Sequence, residues 1–266
     1  MEIDLSAQHD LVNIENENAE IFRVLEISRL FDLFESELLW LTAPKLWDDP
    51  YENFLKHIYG ISAYEESVRI SFEGYSKYLF GQCWTLNEET DAIWRIYSPN
   101  KDRVKIKTTI AKLQKQIQKV KDSGFYSYIG RIIYLPENEI IKRITDGIKD
   151  PFNFHPDSLI RKHYLVKRNT FAYENEVRIM VSLPRPPDNY KNAIYQDHEN
   201  LDLCYLLLDN AVELIDEIVF DPRMPDSLVK AYTLYLRDNF KFNKDIYKSN
   251  IYSKPIIKEQ VKSKYW

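Results

Sequence analysis

The sequence predicts an α+β fold of mixed, mostly antiparallel strands with flanking helices. Three observations point there. Strand-like segments outnumber clean strand–helix–strand units, the pattern of a mixed sheet and not of a doubly wound one. The composition is that of a folding chain, 44% hydrophobic and 14% aromatic with a net charge of only −5, where disorder needs few large apolar residues and high charge. Only 6 of the 266 residues are glycine, and they lie singly, so the glycine-built phosphate loops of nucleoside triphosphatases and Rossmann dehydrogenases are absent.

Taken in order, residues 1–20 read as a polar lead-in that is acidic at its end (Glu15, Glu17). Glu20 to Val24 has the length of a short strand. Ile27, Leu30, Phe31, Phe34 and Leu38 recur at helical spacing. Leu39 to Thr42 returns to strand character, and Pro44 ends it. A loop rich in turn formers follows, Lys45 to Glu52, and 52–76 reads as one or two helices. Tyr78 to Leu86 is an apolar, aromatic strand. Asn87 then reads as the N-cap of a helix opening on Glu88-Glu89, whose charges suit the positive end of the helix dipole. Ile93, Trp94 and Tyr97 share a face of that helix, and Ser98-Pro99 closes it.

Strands are expected at 103–107 and 125–135, a helix at about 108–120, and a helix-rich segment at 137–166. The run Thr170 to Ser182 ends as a clear strand, and Pro184, Pro186 and Pro187 break the chain after it. Further strands are expected at 203–208, 217–220 and 245–252, with a helix at 226–239. The organisation is therefore a lead-in (1–20), a single α+β domain (21–252) with a helical insertion near 137–166, and a tail (253–266). No repeat and no low-complexity tract interrupts it.

Several classes of chemistry are disfavoured by what is missing. No Gly-x-Ser-x-Gly elbow occurs. Cys83 and Cys204 are far apart and suit buried thiols in a reducing cytosol. The five histidines show no His-Glu-x-x-His or zinc-finger spacing, so no metal is expected. No apolar run approaches the ~20 residues of a membrane span. A cytoplasmic protein without a membrane partner is expected; oligomeric state leaves no mark in the sequence.

Four segments combine residues that chemistry uses. Arg23 is a fixed cation within an apolar strand, either facing water or presented to an anion that its planar fork binds bidentately. Asp48, Asp49 and Glu52 suit a hard metal or a solvated turn capping a helix, and the turn is the preferred reading. Trp84 and Trp94, with Tyr97 nearby, offer ring faces for a base or a nicotinamide, or fill the core. Glu174, Glu176 and Arg178 alternate, so in a strand they line one row while Val177 and Ile179 line the other. Such a row is either an ordinary half-exposed strand or a general base and ribose-binding pair on a rigid element.

Together, Leu39-Trp-Leu-Thr-Ala-Pro44 with Asp48-Asp-Pro-Tyr-Glu52, Cys83-Trp-Thr-Leu-Asn-Glu88 with Trp94-x-x-Tyr97, and Tyr173-Glu-Asn-Glu-Val-Arg-Ile179 resemble a bacterial family known only as a domain of unknown function. Ile218-Val-Phe-Asp-Pro-Arg223 fits the same layout. More distantly, an early strand arginine, a central aromatic strand and a late Glu-x-Glu strand resemble the arginine–serine–glutamate class of ADP-ribosyltransferases. That resemblance implies an NAD substrate, an ADP-ribosyltransferase-like core and a protein or nucleic-acid acceptor, with a role as a bacterial toxin or phage-defence effector. It implies that Arg23 holds the pyrophosphate and Thr85, in the central strand, supports the site. Glu176 would bind the nicotinamide ribose and stabilise its cationic transition state, while Glu174 would align or deprotonate the acceptor. Trp84, Trp94, Tyr97 and Arg178 would complete the NAD pocket. The Ser-Thr-Ser of that class reads Cys83-Trp84-Thr85 here. Two alternatives stand beside this one. One is a non-enzymatic nucleotide- or protein-binding module. The other is a metal-dependent nuclease using Asp49 and Glu176-x-Arg178, in which arginine replaces the usual lysine.

Overall fold

The computed structural model describes residues 11–52, 59–61, 69–71, 78–121, 126–149, 163–182 and 202–255. Their main feature is a ten-stranded sheet. Along its principal path lie β1 (Leu11–Val12), β8 (Tyr126–Arg131), β11 (Glu176–Ser182), β6 (Leu79–Thr85), β2 (Glu20–Glu26), β7 (Arg103–Thr109), β13 (Glu217–Phe220) and β14 (Asp245–Lys248). All the pairings along this path are antiparallel except β1–β8 and β13–β14. The α+β expectation holds.

The sheet forks at β6. Its C-terminal residue, Thr85, pairs with Phe22 of β2, and that is the single rung joining the two strands. Toward its other end, Gly81 pairs with Thr42 of β3 (Leu38–Thr42), which runs on to β12 (Leu203–Leu207). Beyond the Phe22–Thr85 rung, β2 and β3 therefore lie on either side of an opening alongside Gln82–Trp84.

Alternation dictates which face each residue serves. Ile21, Val104, Ile106, Trp84, Phe80, Val177, Ile179, Ile218 and Phe220 point to one face and form the larger core. Against it pack α1 (Ile27–Ser36), α3 (Ile110–Lys121), the short α5 (Ala211–Leu214) and α6 (Asp226–Phe240). Helix α1 buries Leu30, Leu33 and Phe34 at i, i+3 and i+4. It ends where Glu37 turns left-handed at φ 58°.

On the opposite face, Leu79, Tyr128 and Met180 join Ile140 and Ile144 of α4 (Glu137–Lys149) and Tyr164, Leu165 and Val166 in a second core. A parallel pair outside the main sheet, β9 (Ile133–Leu135) with β10 (Val166–Arg168), borders it. Strand β11 has a core on both faces, which is why Val177 to Val181 is so nearly continuous in apolar residues. Gly81 matters here: a Cβ would come within 2.6 Å of Met180 Sδ and 2.9 Å of the Trp47 ring, so its absence lets Trp47 lie against the sheet.

Several local expectations need correcting. The lead-in contributes β1, with Val12 buried. Within 52–76, expected to be helical, the described residues form a strand pair, β4 (Tyr59–Ile61) and β5 (Arg69–Ser71); the rest of that segment lies outside the described residues. The helix after β6 is α2 (Asp91–Tyr97), and its N-cap is Thr90, whose Oγ1 accepts from Ile93 N at 3.1 Å. Asn87 instead donates through Nδ2 to the Tyr173 carbonyl. Of the segment 137–166, Glu137–Lys149 forms α4; residues 150–162 and 256–266, including most of the expected tail, lie outside the described residues. Among the described residues no helix is long and apolar enough to cross a membrane.

Candidate functional site

Three of the sequence motifs converge on the face of the sheet that carries Cys83 and Thr85. The pairing register fixes this: Glu176 faces Thr85 and Arg178 faces Cys83. The Asp-Pro-x-Glu loop closes over them. Asp49 does act as a turn former, its Oδ1 accepting from Tyr51 N at 3.1 Å. Yet Asp49 and Glu52 are each only 5% exposed, so the solvated-turn reading is corrected. Both are buried because a cation meets each of them.

Arg178 is the centre of the cluster. Nε donates to Glu176 Oε1 at 2.5 Å, Nη2 to Glu176 Oε2 at 3.1 Å and to Glu52, and Nη1 to the Tyr164 carbonyl at 3.0 Å. Its guanidinium lies 4.4 Å from the Trp47 ring centroid. Each of its nitrogens has an acceptor within the protein, and the side chain is 1% exposed, so Arg178 serves the cluster and does not reach out to NAD. The Lys167 ammonium joins the same carboxylates, at 2.6 Å from Glu174 Oε2, 3.3 Å from Glu176 Oε2 and 3.9 Å from Glu52. Beside it, Arg168 grips Asp49 with Nη2–Oδ1 at 2.8 Å and stacks 4.6 Å from the Tyr51 ring. In the nuclease alternative Asp49 was to hold metal; here it is bonded to Arg168.

Burial alone would raise the Glu176 pKa, but Arg178 and then Lys167 outweigh it and hold the carboxylate well below its usual range, at about 2. For Glu52 burial prevails over Arg178, and its pKa is raised. Burial likewise pushes the Cys83 thiol up, with the Glu176 charge adding to it. Two carboxyls of one cluster are thus driven in opposite directions, the arrangement that separates an acid from a base.

Glu174 does not sit on the strand with Glu176. A 3-10 turn, Asn169–Glu174, ends at Asn175, which is left-handed at φ 44°, and β11 begins only at Glu176. The expected row of Glu174, Glu176 and Arg178 is therefore corrected to a strand pair plus a turn residue. The two glutamates still meet, through Lys167. Tyr97 donates from the outer side to Glu174 Oε1 at 3.0 Å, and burial followed by the Glu174 charge raises its hydroxyl pKa. Thr85 braces the turn, its hydroxyl donating to the Glu174 carbonyl.

Arg23 points the other way. Phe22 shares a face with Thr85 and Glu176, so Arg23 shares one with Trp84 and Ile106. It lies in the opening of the fork, at a cavity of about 160 Å³ whose lining includes Arg29, Trp40, Thr42, Gln82 and Trp84. Nη1 of Arg23 is buried with no hydrogen-bond partner among the described residues. Burial lowers its pKa to about 10, opposed by the Cys83 sulfur. Cys83 lies between the two halves of the site, and its sulfur acts electrostatically on both Arg23 and Glu176. The reading of Arg23 as a solvent-facing strand residue is corrected, because its charged tip is enclosed. The cavity suits an anion beside an aromatic wall, but it is smaller than the roughly 300–1,000 Å³ of drug-sized ligand sites. A dinucleotide would extend beyond it.

The aromatic candidates divide. Trp84 is almost wholly buried, lines the cavity and donates to Gln82 Oε1 at 2.8 Å. Trp94 is fully buried with its indole N–H on Glu89, so both ring faces are covered by protein and the stacking role is corrected. Sequence reasoning missed Lys167, Arg168 and Tyr134, whose hydroxyl accepts from Glu176 N at 2.9 Å. Their only signal was two adjacent cations a few residues before the Glu-x-Glu run. Among the described residues no group of three His, Cys, Asp or Glu is arranged to hold a metal ion.

A family model matches residues 93–179. Its description is protein of unknown function (DUF2971), and the match, about a third of the chain, runs from Ile93 in α2 to Ile179 in β11. It thus takes in Trp94, Tyr97 and the Glu174–Arg178 run. No curated protein matches the chain. Among solved structures the chain is similar to DarT of Thermus sp. 2.9 in complex with NAD+, at 9% identity and TM-score 0.35, covering 89% of this chain and 98% of that one. The same protein with ADP-ribosylated ssDNA gives 10% identity and 0.36, covering 88% and 95%, and with carba-NAD+ 10% and 0.33, covering 88% and 97%.

Proposed function

We propose that this protein transfers ADP-ribose from NAD to a macromolecular acceptor, a protein or a nucleic acid. One observation carries the reading: an enclosed arginine with an unpartnered nitrogen stands in the fork of the sheet, two strands (about 10 Å of backbone) from the strand that carries Glu176 on the opposite face. Arg23 takes the diphosphate, completing the donor the protein leaves open. The ribose arm passes through the opening beyond the Phe22–Thr85 rung, along Cys83, toward Glu176 on the opposite face.

There the bond from the ribose C1′ to the nicotinamide nitrogen breaks, and its electron pair leaves with nicotinamide. Positive charge develops on the ribose, and the Glu176 carboxylate, kept ionised by Arg178, stabilises it. An acceptor oxygen or nitrogen then bonds to C1′, and its proton passes to Glu174. The products are the ADP-ribosylated acceptor, nicotinamide and one proton. A toxin or phage-defence role is the biological setting this chemistry suggests.

A second reading has its own support. Both Glu176 oxygens are already engaged by Arg178 and Lys167, which favours a module that binds a nucleotide without turning it over. Free nicotinamide, followed after adding NAD with and without cell lysate as acceptor source, separates the two. Transfer predicts release that falls at least about 100-fold in Glu176→Gln, with the variant's thermal melt confirming that it folds. NAD binding by calorimetry without release would leave the binding module standing and sink the transferase.

A further inference from the structure

Glu174 and Glu176 belong to different elements, with left-handed Asn175 between them. Nothing in the backbone holds their side chains together, and as like charges they repel. What joins them is Lys167, contributed by β10 in the smaller sheet, which hydrogen-bonds one oxygen of each. We propose that Lys167 is the positioning residue of the site, clamping the two carboxylates into one unit. The role rests on the transferase reading for its purpose, but not for its geometry.

Three features separate this from an ordinary structural ion pair. Arg178 is already the principal cation of Glu176 and Glu52, so Lys167 is not the main partner of either. Glu174 is connected to the pair only through Lys167 among the described residues; its other oxygen is held by Tyr97 on the outer side. A lysine also suits the position: its compact ammonium is a point charge whose three donors rotate freely, where the donors of an arginine fork are fixed in one plane. The ammonium sits 4.8 Å from the Phe171 ring centroid, in the turn that carries Glu174, so the same contact anchors that turn.

Charge counting gives the consequence. Glu52, Glu174 and Glu176 stand against Lys167 and Arg178. Without Lys167, three enclosed carboxylates face one cation, and Glu176 must ionise against its neighbours. The titratable groups facing Glu176 are Glu52 from the loop, Cys83 from β6, Tyr97 from α2, Tyr134 from β9, Lys167, Glu174 and Arg178. Of these, only Lys167 and Arg178 are cations.

The test uses the full chain with Lys167→Met, Lys167→Gln and Lys167→Arg. The Glu176 carboxyl is titrated by 13C NMR, and nicotinamide release is measured against pH. In the Met and Gln variants the Glu176 titration should rise by about one pH unit or more. Release should drop at least about tenfold in kcat, with KM for NAD nearly unchanged and the acid limb moved up by the same amount. Lys167→Arg should recover part of both. An unmoved Glu176 titration in a folded variant overturns the clamp. If Met fails to fold, Gln, which keeps a polar tip, carries the measurement. Should the wild-type protein release no nicotinamide, transfer is refuted while the titration still decides on Lys167.

Discussion

The two faces of the central sheet treat buried charge in opposite ways. On one, two cations and three carboxyl groups bond to one another in a closed network, and Arg178 has an acceptor for each of its nitrogens. On the other, Arg23 is enclosed beside tryptophan with one nitrogen unpartnered. A closed network spends its hydrogen bonds on geometry and fixes where carboxylates sit. An open donor costs stability in the absence of a ligand and recovers it when an anion arrives. Position is set on one face, and affinity is held in reserve on the other.

Breaking the closed face should have the largest effect. Arg178→Met leaves Glu176 and Glu52 buried without their principal cation, and unfolding in urea should show a loss of about 3–5 kcal/mol. A loss under 1 kcal/mol would mean the cluster is far wetter than its packing suggests.

The pH dependence of stability sharpens the same point. His163, beside this cluster, has its pKa lowered to about 4, by burial first and by Arg178 second. A depressed histidine is neutral when folded, so its contribution is complete above the unfolded pKa of about 6.5. It is lost as pH falls toward 4, while the unfolded chain takes up a proton. About 3 kcal/mol should disappear across that window. Glu176, depressed to about 2 against an ordinary 4.5, adds a further loss only below pH 4.5. Melting curves from pH 7 to 3 should therefore fall in two stages, and a flat profile between 6.5 and 4.5 contradicts the placement of His163.

On the open face the effect should be small and of opposite sign. Arg23→Met removes an unsatisfied donor, so stability should rise by about 1 kcal/mol while NAD affinity falls. A variant that loses both stability and affinity would show that Arg23 is structural.

The strands were the legible part of the fold. Alternation in 20–24, the apolar run at 79–85 and the block at 217–220 each carry their own periodicity. The helix cap at Thr90 was not legible, because Asn87 three residues earlier has equally good capping chemistry and is followed by two acids. The Glu-x-Glu strand was overextended because alternation is indifferent to a left-handed residue in its midst. Which cation would meet which carboxylate was out of reach altogether. Lys167 and Glu176 are brought together by the pairing of β10 with β9, and Arg178 and Glu52 are 126 positions apart. Burial of Asp49 and Glu52 depends on those distant partners, so a local reading places them in water. Arg23 could be recognised as unusual, but its face depends on the single Phe22–Thr85 rung.

Asn175 turns the chain between the two glutamates at φ 44°, and its amide is tied to Asn87 and its carbonyl to Leu86 N. That conformation admits few spellings. Valine or isoleucine there would be strained by its own Cβ, whereas asparagine, aspartate and glycine fit. The middle letter of Glu-x-Glu is therefore a filter. Chains that share this bend should keep β-branched residues out of the position between their glutamates, and a valine or isoleucine there would mark a glutamate pair lying on a continuous strand instead.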